Sequence, residues 1–221
     1  MSESPSAVVF DIGRVLFDWN LRYLFEKLID KPEQLDWFLA HVLTEEWHYQ
    51  TDAGRPLDEM VPELSARFPD HAHLVEAYRT RFNETVDRPI LGTHALVRRV
   101  ADAGLPLYAL TNFGAEFFAG FRPTEPIFEL FADIVVSGEE CVAKPDPRIY
   151  EICERRFGRA PQDLFFIDDN AANVAAARER GWHAHLFEGA EGLEAELVRR
   201  GLLAADDSRA PQDVDDSACP R

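Results

Sequence analysis

The feature that most constrains this chain is a set of short apolar runs, each too short for a core helix. They are Ala7 to Phe10, Leu107 to Leu110, Asp133 to Val136, Leu164 to Ile167 and His183 to Phe187. Runs of this length without polar alternation read as strands buried on both faces, the pattern of a parallel sheet. Helical spacing fills the gaps between the later runs. Leu96, Val97 and Val100 share a face ahead of Gly104; Ile149, Ile152 and Cys153 share another ahead of Gly158; an alanine-rich run from Ala171 ends at Gly181. Strand, helix, glycine, strand is the order of right-handed βαβ units, so the fold class is expected to be α/β, a three-layer α/β/α arrangement around a parallel sheet.

The stretch from Leu21 to Val86 departs from this order, because it offers helical stripes with no strand between them. Leu21, Leu24, Phe25, Leu28 and Ile29 form one; Leu35, Phe38, Leu39, Val42 and Leu43 a second; Leu57, Met60, Val61 and Leu64 a third; Leu74, Val75, Tyr78 and Phe82 a fourth. Four such helices suit a small bundle inserted after the first strand and lying over the sheet. The expected organisation is a Rossmann-like core from residues 1–16 and 90–203, a four-helix cap at 17–89, and an acidic tail at 204–221. That tail has too few large apolar groups to offset its ordering entropy and is expected to be disordered.

Acidic residues number 40 against 23 lysines and arginines, a formal net charge of −17 in 221 residues. Such a surface repels phosphate backbones and anionic bilayers, so neither nucleic acid nor membrane is an expected partner. The opening residues are short and polar and do not resemble a signal peptide, and no apolar run is long enough to span a bilayer. The cysteines, Cys141, Cys153 and Cys219, fit neither a zinc site nor a disulfide framework. A reducing, cytoplasmic setting is expected, with the chain a monomer or homodimer and Cys153 a small buried apolar residue.

In open α/β sheets, ligands bind beyond the carboxyl ends of the strands. There this chain places Asp11-Ile12-Gly13, Thr111-Asn112 and Asp168-Asp169-Asn170, with Lys144-Pro145-Asp146-Pro147 in a loop ahead of a helix. Carboxylates, a hydroxyl with an amide, and an ammonium are the groups phosphoryl chemistry uses. Lys144 is the sole lysine after Lys31 in a chain that otherwise uses arginine, and a compact ammonium suits a single phosphate oxygen. Two adjacent carboxylates at a buried strand end repel, and a hard divalent cation would relieve that.

The segments VVFDIGRVLFD, ALTNF, AKPDPRIY and FFIDDNAANV, in this order, resemble the four motifs of the haloacid dehalogenase superfamily with its helical first cap type, over roughly residues 7 to 190. The FDIG opening with DDNAANV is similar to the bacterial branch that includes a glucose-1-phosphate phosphatase. The resemblance implies a Mg²⁺-dependent phosphatase acting on a small phosphorylated metabolite, with a sugar 1-phosphate as the narrower branch's candidate substrate. Asp11 would be the nucleophile that forms an aspartyl-phosphate. Thr111, Asn112 and Lys144 would be catalytic and substrate-binding residues, with Asn112 orienting substrate or nucleophile. Asp11, Asp169 and the Gly13 carbonyl would bind Mg²⁺, with Asp168 and Asn173 acting mainly through water or from behind the ligands. Three carboxylates and a phosphate dianion repel strongly, and Mg²⁺ with Lys144 removes most of that excess.

One position departs from the family pattern. Most phosphatases of the superfamily carry a second aspartate two residues after the nucleophile as general acid and base; here it is Gly13. Such help is worth about 10² to 10⁴ in rate. Asp18, His41 and His48 are candidate donors, and an anomeric oxygen, which leaves readily, is a natural leaving group. Phe17, Asp18, Trp19 and Asn20, with the polar segment from His48 to Arg55, are candidates for substrate selection. The competing expectations are a metal-independent 2-haloacid dehalogenase, which the Asp168-Asp169 pair disfavours by repelling a carboxylate substrate, and a non-catalytic binding member.

Overall fold

The computed structural model of the protein describes residues 4–205. The acidic segment expected to be disordered lies, from residue 206 on, outside the described residues, as does Cys219. Among the described residues seven strands are present: β1 Ala7–Phe10, β2 Phe17–Trp19, β3 Val86–Pro89, β4 Leu107–Thr111, β5 Asp133–Val136, β6 Leu164–Asp168 and β7 His183–Leu186. Five of them form one parallel sheet in the order β5-β4-β1-β6-β7. All five apolar runs are therefore strands, and β1 sits at the centre, Val9 lying between Tyr108 and Phe166.

Alternate residues of β1 face opposite layers, as the period of a strand requires. Val8 and Phe10 join Leu96, Val97, Val100, Leu193 and Leu197, so helices Leu91–Asp102 and Ala190–Arg199 cover one face. Ala7 and Val9 join Ile149, Tyr150, Cys153, Val174 and Trp182, so helices Pro147–Phe157 and Ala171–Glu179 cover the other. Cys153 is fully buried in that second layer.

β2 and β3 pair antiparallel as a separate ribbon, Trp19 opposite Val86, and the chain between them is helical. This insertion differs from expectation in two ways. The stripe from Leu21 to Ile29 yields only one helical turn, Arg22–Phe25, with no side-chain cap at its start. The fourth helix is instead Glu45–Asp52, which takes in the first part of the polar segment from His48 to Arg55. Its start is conventional, with the Thr44 hydroxyl accepting from the Trp47 N–H at 3.0 Å. It escapes an apolar-periodicity reading because its buried residues are His48, Thr51 and Asp52. The other helices are Pro32–His41, Leu57–Arg67 and Ala72–Thr80.

Two glycines set how closely the insertion approaches the sheet. A side chain at Gly54, at φ +91°, would meet Cys141 Sγ at 2.8 Å, and one at Gly114 would meet the Thr51 hydroxyl at 2.9 Å. Both lengths are below ordinary van der Waals contact, so only glycine lets the end of Glu45–Asp52 settle over the carboxyl ends of the strands.

Candidate active site

β4 ends on Thr111 and β6 on Asp168, one residue beyond their apolar runs. Asp11 follows β1 directly, and its N–H donates to the Ile167 carbonyl at 2.9 Å, extending the ladder by a residue. Neighbouring strands thereby carry Asp11 and Asp168 to the same edge. The helix start after β6 is capped by Asn170, whose side chain accepts from the Ala172 N–H at 2.9 Å.

Lys144 joins these strand ends. It is only 1% exposed, and a buried ammonium must find partners for its charge and its donors. Its Nζ lies 2.9 Å from Asp11 Oδ1 and 2.7 Å from Asp168 Oδ2, and donates to the Leu110 carbonyl at 3.0 Å. Burial would lower its pKa, but Asp11 and Asp168 outweigh that and hold it raised to about 12. Asp11 is held above the usual carboxylate range, by burial first, with Lys144 opposing and Asp168 and Asp169 adding to the rise. Asp169 is raised by burial and then by Asp168.

Asp168 is fully buried and heavily bonded. Besides Lys144 it accepts from the Asn170 N–H at 2.8 Å and from Asn173 Nδ2 at 3.0 and 3.2 Å. Asp11, Asp168 and Asp169 each bring an oxygen within 4.8 Å of the others. An all-oxygen, anionic set of this kind fits a hard divalent cation. Asp168 is already committed to Lys144 and Asn173, which leaves Asp11 and Asp169 the freer donors.

Thr111, the last residue of β4, and Asn112 after it make unlike contacts. The Asn112 side chain clamps the Lys144 backbone, donating from Nδ2 to the Lys144 carbonyl at 3.0 Å while Oδ1 accepts from the Lys144 N–H at 2.8 Å. It thus positions the lysine, although it also borders the cavity. Thr111 is 1% exposed and its hydroxyl has no hydrogen-bond partner. A buried polar atom without a partner calls for a ligand or water that satisfies it.

A cavity of about 220 Å³ opens on Asp11, Gly13, Lys144, Asp169 and Asn173. Its far walls are Phe17 and Trp19 of β2, Val86 of β3, Phe82, Phe113 and Phe121, and the side chains Glu45, His48, Tyr49 and Asp52 of the insertion. Arg14 borders it too, paired with Glu45 at 2.8 Å and lying 5.1 Å over the Trp19 ring.

Of the expected proton donors, only His48 lines this cavity. Asp18 accepts from the Tyr23 hydroxyl at 2.9 Å, and His41 stacks on Trp37. Burial, with Arg14 nearby, pushes the His48 pKa down to about 3, so its imidazole is neutral. Its Nδ1 is 2.6 Å from the Tyr78 hydroxyl and its Nε2 is 3.7 Å from Asp52 Oδ2. Asp52 was not singled out from the sequence, beyond its place in the polar segment His48 to Arg55. Burial pushes its pKa up to about 7, against the opposing effects of Thr51, Lys144 and the Gly114 backbone.

That shift has a consequence for stability. With a folded pKa near 7 against an unfolded value near 3.8, the folded chain holds a proton in this window that the unfolded chain has released. Stability from this group is therefore complete below the lower value and is lost as pH rises through the upper one, by up to about 4 kcal/mol. Asp52→Asn is expected to unfold at higher urea than wild type at pH 8, by on the order of 1–3 kcal/mol, and within about 0.5 kcal/mol of it at pH 4. An equal offset at both pH values would contradict the assignment.

Comparison with known proteins finds similar hydrolases over most of the chain. The chain is 28% identical over 184 residues to a sesquiterpene phosphatase of Aspergillus oryzae, covering 82% of this chain and 89% of that protein. It is 31% identical over 122 residues to an (S)-2-haloacid dehalogenase of Pseudomonas putida, covering 54% of this chain and half, 50%, of that one. In structure it resembles a HAD family enzyme of Bacteroides thetaiotaomicron crystallised with magnesium and inorganic phosphate, with a TM-score of 0.64 at 18% identity, over 84% of this chain and 95% of that one. Among the described residues no helix is long and apolar enough to cross a membrane. With the family model matched over residues 5–181, spanning four of the five strands of the parallel sheet, the helical insertion and every strand-end group described above, the chain belongs to the haloacid dehalogenase-like hydrolases.

Proposed function

We propose that this hydrolase is a Mg²⁺-dependent phosphatase that acts on a small phosphorylated metabolite through an aspartyl-phosphate on Asp11. The observation that carries this reading is the Asp11–Lys144–Asp168 arrangement, with Asp169 completing three converging carboxylates. Lys144 holds Asp11 Oδ1 in place and supplies positive charge where phosphoryl oxygens arrive. The Asp11 oxygen attacks phosphorus, the bond to the leaving oxygen breaks, and water later displaces phosphate from Asp11. The unpartnered Thr111 hydroxyl is suited to a phosphoryl oxygen, and Asn112 keeps Lys144 in register. Asp11, Asp169 and the Gly13 carbonyl would hold Mg²⁺, with Asp168 behind them; when bound, the ion supplies charge neutralisation for phosphoryl oxygens.

The helical insertion then serves as the cap over a site whose cavity, about 220 Å³, lies below the range of roughly 300–1,000 Å³ common for drug-sized ligands. That size favours a small substrate. A sugar 1-phosphate remains a specific candidate, since its anomeric oxygen leaves readily. The aromatic walls and the similarity to a sesquiterpene phosphatase favour an apolar alcohol phosphate as the competing class. A 2-haloacid dehalogenase, suggested by the similarity to the Pseudomonas enzyme, would have to admit a carboxylate substrate beside Asp168 and Asp169.

Phosphate release from p-nitrophenyl phosphate should be abolished by EDTA and restored by Mg²⁺. Metal-independent chloride release from 2-chloropropionate, without phosphatase activity, would overturn the proposal. In a panel of phosphate esters, glucose 1-phosphate turned over no faster than unrelated monoesters would remove the sugar 1-phosphate candidate.

A further inference from the structure

Gly13 leaves the proposed reaction without its usual proton donor, and the reason is not crowding. A Cβ placed on Gly13 meets no atom within 4 Å. The acid is therefore to be sought on the other walls of the cavity. Glu45 is paired with Arg14, and His48 is neutral with its Nδ1 engaged by Tyr78. Asp52 differs from both. It is 6% exposed, it faces the cavity from the last turn of Glu45–Asp52, and among the described residues no lysine or arginine forms an ion pair with it.

We infer that Asp52, reaching the cavity from the insertion, is the general acid and base that Gly13 cannot be. The inference rests on the phosphatase reading and deepens it. In the first step Asp11 Oδ bonds to phosphorus, the bond from phosphorus to the ester oxygen breaks, and the Asp52 carboxyl proton passes to that oxygen to release a neutral alcohol. In the second, Asp52 carboxylate takes a proton from water as its oxygen bonds to phosphorus. The Asp11–phosphorus bond breaks, inorganic phosphate leaves, and both side chains return to their starting states.

The surroundings favour a carboxyl that can be found in either form. Thr51 Oγ donates at 3.4 Å and His48 Nε2 stands 3.7 Å away on its own helix; Lys144 acts on it from the strand-end loop, while Tyr78 from the neighbouring helix and Tyr49 carry hydroxyls that stay protonated. Burial raises its pKa to about 7, which is where a group that must both give and take a proton at neutral pH works best. The placement also explains why the insertion must press so closely on the core at Gly54 and Gly114.

The test compares leaving groups. An alkyl phosphate needs its leaving oxygen protonated and p-nitrophenyl phosphate does not. Asp52→Asn is expected to lower kcat/KM for the alkyl ester at least about 100-fold, and to lower the nitrophenolate burst by under about tenfold. Adding Gly13→Asp to that variant should recover alkyl-ester hydrolysis at least about tenfold. Equal losses on both substrates, or no recovery, would overturn the assignment while leaving the phosphatase reading intact. Should Asp52→Asn not fold, the wild type decides. Its alkyl-ester rate should fall as pH rises through about 7 while the nitrophenolate burst does not, and parallel profiles would overturn it. Failure of the wild type to release phosphate from any ester in the presence of Mg²⁺ removes the phosphatase reading and this assignment together.

Discussion

Asp11→Asn is expected to lower phosphate release by at least about 10⁴-fold, because the amide oxygen cannot form the covalent intermediate. Stability should move the other way. Asp11 is a buried carboxylate held above its usual range by burial and by Asp168 and Asp169, so neutralising it relieves like-charge repulsion at the strand ends. Lys144 would keep Asp168 Oδ2 at 2.7 Å and the Leu110 carbonyl at 3.0 Å. The variant should therefore fold and unfold at denaturant concentrations equal to or above those of wild type, while losing turnover. Loss of activity with unchanged or raised stability marks a catalytic group; loss of both would mark a structural one. Urea unfolding alongside p-nitrophenyl phosphate kinetics separates the two.

Lys144→Met should do the reverse on stability and cost activity as well. Removing the ammonium leaves Asp11 and Asp168 buried without their cation, and breaking a buried pair from one side costs about 3–5 kcal/mol. The loss should be largest near pH 8 and smaller near pH 5, because the abandoned carboxylates can neutralise themselves by taking up protons. Turnover should fall at least about 100-fold, since Lys144 both fixes the nucleophile and faces the incoming charge. Lys144→Arg should not rescue it. The side chain is buried, and the guanidinium fork cannot reproduce contacts at 2.7, 2.9 and 3.0 Å from a single nitrogen. A lysine whose replacement changed neither stability nor rate would be a surface charge, contrary to its 1% exposure.

The sheet was legible in the sequence because strands buried on both faces leave uninterrupted apolar runs, and the candidate site residues stand where those runs stop, Asp11 just after β1, Thr111 and Asp168 on the last residues of β4 and β6. Lys144 was legible for a different reason, its rarity. β2 and β3 were not, since three or four residues in a ribbon carry too little pattern to separate from a loop. Helix Glu45–Asp52 was hidden because its buried side is polar, and it is polar because that side faces the cavity rather than the core. The same cause concealed Asp52. A polar run between two amphipathic helices was the available signal, and it pointed to the His48 to Arg55 segment without distinguishing which residue would matter. Asn112 shows the opposite limit: its position at a strand end was readable, but that its amide holds Lys144 depends on contacts across 32 residues.

The covalent role of Asp11 is tested most directly by trapping the intermediate. Wild-type protein mixed with excess phosphate ester and Mg²⁺, quenched in acid during turnover and digested, should yield one phosphoryl group on the peptide carrying Asp11. It should be lost on treatment with hydroxylamine and absent in Asp11→Asn. Steady turnover with no phosphoryl group on that peptide, or with one on a different peptide, would contradict the aspartyl-phosphate mechanism.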